Sequence, residues 1–454
     1  MSAAASPAPP RLHPLLEAPD QWPRLLRESA GPLYRGWVSG LSGVIVEAAG
    51  VPSALGEIVR IDRGALGPVL AEVIGFRDST TLLMPHGELE GIAPRQRVTA
   101  LGRPFSIRIG DEMLGRALDG YGRALDGPAF EHASAERAVR AEAPPALSRT
   151  PIRVPLQTGV RAIDACATIG RGQRIGIFAG SGVGKSTLLG QITRGTDADV
   201  VIVALIGERG REVRGFLEEV LAPETRARSI AVVATSDRAP MERFMAPFVA
   251  LTCAEHWRDR GANVLLVMDS VTRFALAARE IGLAAGEPPT VRGFPPSFFA
   301  TIPKIVERMG CGEKGSITGL LTVLVDGDDH NEPVADTLRG LLDGHLVLSR
   351  DLAHRGHYPA IDVLASLSRL MPAVAGTRHV ALAQRLREDL AAWREGRDLV
   401  EIGAYRAGTN PRLDRAIARL PAIDGFLRQT QAERCALADT LQRLEQIAGE
   451  AKPA

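Results

Sequence analysis

A glycine-rich stretch with the sequence IFAGSGVGKSTLLGQI occupies residues 177–192. It follows an apolar run typical of a buried strand and opens a stretch typical of a helix. From Ala179 to Ser186, here called the phosphate loop, it matches the pattern G-x-x-x-x-G-K-[ST] with alanine in the first place, where a small residue still permits a tight turn. A strand before the loop and a helix after it are the context that this pattern requires. The sequence therefore predicts an α/β nucleotide-binding fold of the P-loop class.

The phosphate loop predicts a set of nucleotide-binding residues. Its glycines leave backbone N–H groups free to converge on phosphate oxygens at the positive end of the following helix. Lys185 is predicted to reach the β- and γ-phosphates, and the Ser186 hydroxyl is predicted to ligate Mg²⁺. Basic residues of this chain are almost all arginine, which argues against a chance lysine in this loop. The predicted cofactors are ATP and Mg²⁺, and the predicted contact residues are Gly180, Ser181, Gly182, Val183, Gly184, Lys185, Ser186 and Thr187.

A second acidic site is expected downstream, because an Asp at the end of a buried strand commonly helps to hold the Mg²⁺ of a bound nucleotide. The run NVLLVMDS supplies this residue as Asp269. An Asp after an apolar strand is by itself only the start of a loop. Together with the phosphate loop, Asp269 becomes the predicted Mg²⁺ ligand, acting through water.

The run LIGERGREV places Glu208 and Arg209 after another predicted strand. Ligands bind at the carboxyl edge of α/β sheets, and a carboxylate there can polarise an attacking water as a general base. Taken alone, the motif leaves a second interpretation open: a solvated charge cluster of Arg209, Arg211, Glu212 and Arg214.

Other chemically active residues receive a structural interpretation. Cys253 with His256, and His354 with His357, have helical spacing but lack further ligands, so packing is expected rather than metal binding. The acidic run DGDDHNE at residues 326–332 suggests a cation site, but a polar loop after a strand explains it.

The chain of 454 residues is long enough for two or three domains. An Ala-, Pro- and Ser-rich start predicts disorder, and residues 11–28 are either a partner-docking segment or a helix packed on its own domain. Short β-like runs then predict a small barrel or sandwich, and residues 114–127 are interpreted as a glycine-punctuated linker. The predicted division is 1–30 as a disordered tail with a candidate regulator-binding segment, 31–103 as a β-barrel, 104–375 as the nucleotide-binding domain with its linker, and 376–454 as a helical domain.

Strand-like and helix-like runs alternate from residue 156 to about 375, which predicts a mostly parallel sheet covered by helices. The predicted strands are RIGIFA, DVVIVALIG, SIAVVAT, NVLLVMDS and SITGLLTVLVDG. Beyond residue 376 the pattern changes to helices. Apolar residues of the last one fall on a single face, at Leu437, Leu441, Leu444 and Ala448.

The overall composition disfavours several classes of protein. The net charge is +1, so no global field favours nucleic acid or an acidic membrane. Four scattered cysteines without a CxxC pair indicate a reduced compartment. The N-terminus lacks the basic start and apolar core of a secretory signal, and no run approaches the ~18 apolar residues of a membrane helix. We expect a soluble cytoplasmic protein with no nucleic-acid partner.

Several longer strings resemble those of the flagellar and type III secretion export ATPases, which are paralogues of the catalytic subunits of F- and V-type rotary ATPases. The resemblance runs from about residue 30 to about residue 430 and implies a small N-terminal β-barrel, a RecA-like nucleotide domain and a C-terminal helical domain, assembled as a homohexamer. Two short runs depart slightly from the family's usual strings: DGDD stands where EGDD is usual, and IPKIVERMG also differs. Neither departure touches a proposed catalytic atom. The strings are TGVRAID, GRGQRIGIFAGSGVGKSTLL, IGERGREVRGFLEE, DSVTRFALAAREIGLAAGEPPTVRGFPPS, DGDDHNEPVAD, DGHLVLSR and IGAYRAGTNPRLDRAI.

The resemblance also implies roles for single residues. Glu208 matches the family's catalytic glutamate, and Arg209 matches the adjacent arginine near the γ-phosphate. Tyr358, in GHYPAID, matches the aromatic residue that packs on adenine, and Tyr405 is a second candidate beside the base. Arg369, in ASLSR, matches the arginine finger that reaches a neighbouring subunit's nucleotide. Phosphoryl transfer needs such positive charge on the γ-phosphate at the transition state.

The implied function is MgATP hydrolysis that energises protein export, with the flagellar apparatus favoured over the virulence-type injectisome. The implied partners are regulator and stalk subunits, export chaperones, cargo and the membrane export gate, at which the ATPase would sit peripherally on the inner face of the cell membrane.

Two other functions compete with export. A rotary F/V-type ATPase subunit is disfavoured because one chain carries Lys185, Glu208 and Arg369, so six copies can complete their own sites. A ring-shaped RNA translocase is disfavoured by the 4% aromatic content, the near-zero net charge and the lack of an aromatic-basic motif in the β-region.

Overall fold

The computed structural model describes residues 35–130, 135–221, 223–325 and 332–449. The expectations for residues 1–34 and for most of the acidic run at 326–332 lie outside the described residues. The chain forms two compact units, one reaching to Pro85 and including Leu89–Arg103, the other formed by His86–Glu88 and everything from Pro104 onward.

The first unit is a closed barrel of short strands in the order β1-β2-β5-β4-β3-β6. Alternate side chains of these strands point inward, and small ones such as Val46, Ala48, Val59 and Ala71 fill the interior, as a narrow barrel requires. The spacing of apolar runs left a barrel or a sandwich open; the structure has the closed barrel that the resemblance implied. Its strands are β1 (Arg35–Ser42), β2 (Ile45–Ala49), β3 (Glu57–Asp62), β4 (Pro68–Arg77), β5 (Thr80–Pro85) and β6 (Arg97–Pro104).

The second unit contains one large sheet and two small two-stranded sheets. Its strands are β7 (Ser106–Ile109), β8 (Ala117–Asp119), β9 (Ala135–Ala138), β10 (Pro155–Leu156), β11 (Ile169–Gly170), β12 (Arg174–Ala179), β13 (Val200–Ile206), β14 (Ser229–Ala234), β15 (Asn263–Asp269), β16 (Gly310–Cys311), β17 (Ser316–Leu324), β18 (Gly344–Leu348) and β19 (Leu367–Ser368).

Helices cover this sheet and continue beyond it to the end of the described chain. They are α1 (Arg161–Cys166), α2 (Lys185–Gly195), α3 (Gly210–Gly215), α4 (Pro223–Ala227), α5 (Pro240–Asp259), α6 (Val271–Ala284), α7 (Pro296–Arg308), α8 (Pro333–Leu341), α9 (Arg350–His354), α10 (Met371–Val374), α11 (Thr377–Glu401), α12 (Pro411–Leu427) and α13 (Leu437–Ala448). No helix among the described residues is long and apolar enough to cross a membrane.

The large sheet has the order β19-β18-β12-β17-β15-β13-β14-β8, and β16 pairs with β17. All pairings from β18 to β8 along this order are parallel, whereas β19 and β16 run antiparallel to their neighbours. The central strands are buried along almost their whole length, because helices cover both faces of a parallel sheet. The mostly parallel sheet predicted from alternating strands and helices is therefore confirmed.

The linker predicted at residues 114–127 is wrong in one respect. Ala117–Asp119 forms β8, which adds a parallel edge strand to the sheet beside β14. Three residues between glycine turns give no strand signal of their own, because only pairing with Ala231, Val232 and Val233 makes the segment extended. The strands β18 and β19 were likewise absent from the predicted set.

The C-terminal helices pack on the nucleotide-binding unit through a shared apolar core. Leu386 of α11, Phe426 of α12 and Leu444 of α13 belong to one buried cluster with Ile163 of α1. The predicted face of α13 is confirmed, since Leu444 and Ala448 are buried. The core is thus continuous from the sheet to the last helix.

Local sequence explains where α12 begins. Asn410 caps the helix, and its side-chain oxygen accepts from the N–H groups of Arg412 and Leu413 at 3.1 and 3.3 Å. Pro411 occupies the first turn, where its missing N–H costs nothing. A buried Asp389 on α11 then accepts from Arg415 and Arg419 at 2.8 and 3.1 Å, which fixes the two helices against each other.

Candidate nucleotide-binding site

The phosphate loop connects the end of β12 to the start of α2. Gly182 and Gly184 have φ angles of 78° and 95°, a left-handed conformation that glycine adopts without strain. Gly184 caps α2 without any side-chain hydrogen bond to the first helical turn. The N–H groups of that turn are therefore available to an anion at the positive end of the helix.

Acidic side chains gather beside this loop because neighbouring parallel strands end at the same edge of the sheet. Leu205 of β13 pairs with Asp269 of β15, so Glu208, just beyond β13, lies near Asp269. The Lys185 ammonium forms an ion pair with Asp269 and lies 3.5 Å from Glu208 Oε1. The structure thus brings together the predicted lysine, the predicted Mg²⁺ ligand and the predicted general base.

Thr322 completes this cluster, and sequence analysis missed it. Its hydroxyl donates to Asp269 Oδ1 at 2.8 Å from the neighbouring strand β17. A threonine within a buried β-strand carries no sequence signal that separates it from ordinary strand residues. Only the parallel pairing of β15 with β17 makes its role visible.

The donor set fits a Mg²⁺ ion carried by a nucleotide. Mg²⁺ takes oxygen ligands and keeps several waters, and Ser186 offers an exposed hydroxyl in the first turn of α2. Lys185 and Thr322 both contact Oδ1 of Asp269, while Oδ2 has no hydrogen-bond partner within the described ranges. That second oxygen can accept from a Mg²⁺-bound water.

The electrostatics of the cluster act on Glu208. Burial raises the pKa of the Glu208 carboxyl above its usual range; the nearby Lys185 ammonium opposes this shift, and the Asp269 carboxylate adds to it. A glutamate with a raised pKa is a stronger base toward a water proton than an ordinary surface carboxylate.

The pH dependence of kcat/KM tests this state of Glu208, because that profile reports groups of the free enzyme. A general base acts only when ionised, and a raised pKa keeps Glu208 protonated further up the pH scale. We expect kcat/KM for MgATP, at constant free Mg²⁺, to rise with pH through a limb above the usual glutamate range and then level off. A rise of kcat/KM centred on the ordinary glutamate pKa, or no rise with pH, would contradict the assignment of Glu208 as the base.

Arg209 is not brought into the cluster. Its side chain is 79% exposed, and its guanidinium lies 3.7 Å from Glu212 Oε1. Arg209, Arg211, Glu212 and Arg214 are all exposed, so the solvated-cluster interpretation holds for these neighbours. It does not hold for Glu208, which faces Lys185.

Tyr358, the predicted base-binding residue, lies beside the phosphate loop. A Cβ placed on Gly184 would lie 3.5 Å from Cε1 of the Tyr358 ring, so the ring stands next to the start of α2. Tyr358 is 44% exposed. The hydroxyl of Tyr405 lies 2.9 Å from Asp414 Oδ1 and 3.2 Å from the Asn410 carbonyl, and its place beside the base stays a prediction.

Arg369 lies at the opposite edge of the sheet from the phosphate loop of its own chain. Its N–H donates to the Asp343 carbonyl at 3.0 Å, and the Asp343 side chain binds Arg174, the first residue of β12. The phosphate loop follows the last residue of the same strand, so the two sites are separated by the length of β12, roughly 16–20 Å. Arg369 is exposed, and its guanidinium donates to the Arg339 carbonyl at 3.4 Å.

Three of the four residues in the histidine and cysteine pairs are buried, as packing requires. Cys253 is buried, and His256 packs on Trp257 with ring centroids 4.4 Å apart. His357 is buried and bonded to Asp424 at 2.9 Å, which confirms packing for this residue. His354 is exposed at the end of α9, so the packing predicted for it is wrong.

Comparison with known proteins identifies the family. The chain matches the nucleotide-binding domain of the ATP synthase alpha/beta family over residues 159–368, and the T3SS EscN ATPase C-terminal domain over residues 375–446. The flagellum-specific ATP synthase of Bacillus subtilis is 46% identical over 91% of this chain and 95% of its own length. The chain belongs to the family of flagellar and type III secretion ATPases. The type 3 secretion system ATPase of Xanthomonas euvesicatoria is similarly close, at 49% identity over 92% of this chain and 94% of its own length.

The fold of this ATPase agrees with that of a solved relative. The assembled ATPase EscN from the enteropathogenic E. coli type III secretion system matches with a TM-score of 0.86 at 43% identity, over 91% of this chain and 100% of that chain. The same relative has also been solved in complex with its central stalk EscO. The predicted enzyme class and fold class are therefore confirmed, whereas the residue roles and the domain boundaries stay predictions.

Lys185→Ala is expected to weaken MgATP binding by about 10²-fold. The substitution removes the charge-assisted contact to phosphate and leaves Glu208 and Asp269 as uncompensated carboxylates that repel a polyphosphate. Titration with a fluorescent nucleotide measures the change. Lys304→Ala, at an exposed lysine on α7, is the matched control and should bind normally. Equal affinity in the two variants would contradict the role of Lys185.

Proposed function

We propose that this ATPase hydrolyses MgATP in a homohexameric ring and so energises protein export through the flagellar type III secretion apparatus. The observation that carries the hydrolysis part of the proposal is the Lys185 ammonium between Glu208 and Asp269, beside a glycine-rich loop with an uncapped helix start. This arrangement joins a phosphate-binding cradle to a candidate base and a Mg²⁺ ligand.

In the proposed mechanism each side chain has a separate task. The loop N–H groups and Lys185 hold the β- and γ-phosphates. Ser186 would hold a Mg²⁺ ion directly and Asp269 would hold it through a bound water; the ion would supply positive charge to the phosphate oxygens. Glu208 accepts a proton from the attacking water. Because Lys185 moves onto the phosphates, Glu208 loses its close cationic neighbour when the nucleotide binds.

Arg369 is proposed to act on the nucleotide of a neighbouring copy. Its place at the far edge of its own sheet supports a role in trans, since it is too distant from its own phosphate loop. Arg209 is proposed to approach the γ-phosphate after its exposed side chain reorients. Hydrolysis would then depend on assembly.

The export role rests on the relatives rather than on the site. Both flagellar and injectisome ATPases match this chain at similar identity, so an injectisome role is the alternative. The relative EscN has been solved assembled and with its stalk, which supports a ring with a stalk subunit here. We further propose a regulator subunit, chaperones and cargo as partners, and a cytoplasmic location at the membrane export gate.

The proposal is tested by MgATP turnover of the purified chain alone, measured against protein concentration with the molecular mass measured alongside. Turnover per chain should rise steeply where the mass reaches six copies, and Lys185→Ala protein gives the background. Turnover that appears only after a different subunit is added would instead favour a rotary ATPase subunit.

A further inference from the structure

A buried glutamine at the end of α12 has every side-chain hydrogen-bonding group in use. Gln429 is 5% exposed. Its amide oxygen accepts from the Arg161 N–H at 3.0 Å, and its amide nitrogen donates to the carbonyls of Gly159 and Glu433 at 2.7 and 2.9 Å. A buried polar side chain with all its partners in place fixes the backbone around it.

The backbone of this glutamine holds Tyr358. The N–H of Gln429 donates to the Tyr358 carbonyl at 2.8 Å. The position of Gln429 therefore determines where the main chain of Tyr358 sits, and with it the aromatic ring beside Gly184.

The segment on either side of Gln429, residues 426–435, is anchored a second time through Arg161. This buried guanidinium donates to the Phe426 carbonyl at 2.7 Å and to the Arg428 carbonyl, and it forms an ion pair with Glu433. Arg161 and Gln429 thus bind each other and also bind the same segment.

The same segment touches the helix that follows the phosphate loop. Gln191 of α2 donates to the Thr430 carbonyl, and Arg194 donates to the Gln431 carbonyl, both at 2.9 Å. Segment 426–435 is therefore bonded to Tyr358 on one side and to α2 on the other. These contacts are made by the later turns of α2 and not by its first turn at Lys185, so the segment sets Tyr358 against the helix without holding the phosphate loop itself.

We propose that Gln429 is a positioning residue for recognition of the nucleotide base, acting through Tyr358. The inference rests on the proposed role of Tyr358 at adenine. It adds that Gln429 fixes the position of the Tyr358 ring relative to the phosphate loop. The described side-chain bonds of Gln429 go to Arg161, Gly159 and Glu433, and none of these is a proposed phosphate-binding or catalytic residue. Its loss should weaken the base-dependent part of binding and spare the phosphate-dependent part.

The experiment compares ADP with inorganic pyrophosphate, both with Mg²⁺, by isothermal titration on the full chain. Gln429→Ala should weaken ADP binding about tenfold, as loss of an aromatic contact to a base does, and leave pyrophosphate binding unchanged. Gln384→Ala, at an exposed glutamine that donates to Glu388 on α11, is the matched control. Equal weakening of both ligands would identify Gln429 as merely structural and overturn the inference.

Tyr358→Ala separates the inference from the proposal beneath it. If Tyr358→Ala does not weaken ADP selectively, the proposed role of Tyr358 fails. If Tyr358→Ala weakens ADP binding selectively and Gln429→Ala does not, the role of Tyr358 stands and only the role of Gln429 fails. Because Gln429 acts through the ring, the double variant should bind ADP no more weakly than Tyr358→Ala alone. If the loss of ADP affinity in the double variant equals the sum of the two single losses, Gln429 does not act through Tyr358.

A measurement on the unmodified chain covers the case in which Gln429→Ala fails to fold. ADP should slow hydrogen exchange of residues 426–435, because a base stacked on Tyr358 stabilises the Gln429 N–H bond to its carbonyl. Pyrophosphate should not slow that exchange. Equal protection by both ligands would overturn the inference.

Discussion

Glu208→Gln is expected to bind MgATP as tightly as the parent chain, while turnover falls by about 10²–10⁴-fold. Glutamine keeps the shape of the side chain and can still contact Lys185, but an amide cannot accept the water proton at any useful rate. The nucleotide is held by the phosphate loop and Lys185, which the substitution leaves in place. The loss should therefore appear in kcat, with no rise in the dissociation constant.

The measurement pairs steady-state hydrolysis with nucleotide titration on the same preparation. Glu218→Gln is the matched control, because this glutamate is exposed and pairs with Arg214, four residues earlier. It should hydrolyse MgATP at the parent rate. Hydrolysis by Glu208→Gln at the parent rate would remove Glu208 as the general base, and weakened binding would assign it to nucleotide affinity.

The core of this site could be predicted because its signals are local. The phosphate loop is a contiguous string whose glycines and lysine carry their function in short spacing. Asp269 and Glu208 each follow a run of buried apolar residues, and parallel strands bring such ends to one edge. The raised pKa of Glu208 could not be predicted, since it comes first from burial of the carboxyl in the folded chain, with Lys185 opposing the shift and Asp269 adding to it.

The missed features depend on pairing between distant segments. β8 is extended only because it pairs with β14, more than a hundred residues later. Thr322 is an ordinary strand residue until β17 lies beside β15. Gln429 follows α12 in sequence, yet its partners Arg161 and Tyr358 belong to other parts of the fold. No periodicity or motif in a single sequence encodes such contacts.

Arg369→Ala is expected to lower turnover by about 10³-fold or more, while each chain still binds MgATP normally. An arginine finger acts on charge that develops at the transition state, so its loss removes little ground-state affinity. The structure supports action in trans, because Asp343 holds the Arg369 backbone at the start of β12 while the phosphate loop lies at the end. A chain lacking the arginine would therefore impair its neighbour's site.

Mixing the variants tests this directly. Arg369→Ala chains keep an intact phosphate loop, and Lys185→Ala chains keep an intact Arg369, so a mixed ring contains interfaces where both groups are intact. Each variant alone should be nearly inactive, and an equimolar mixture should regain measurable turnover. Arg406→Ala, at an exposed arginine in the loop between α11 and α12, is the control and should retain parent activity. A mixture as inactive as its components, although mass measurement finds mixed rings, would contradict a finger supplied by the neighbouring subunit.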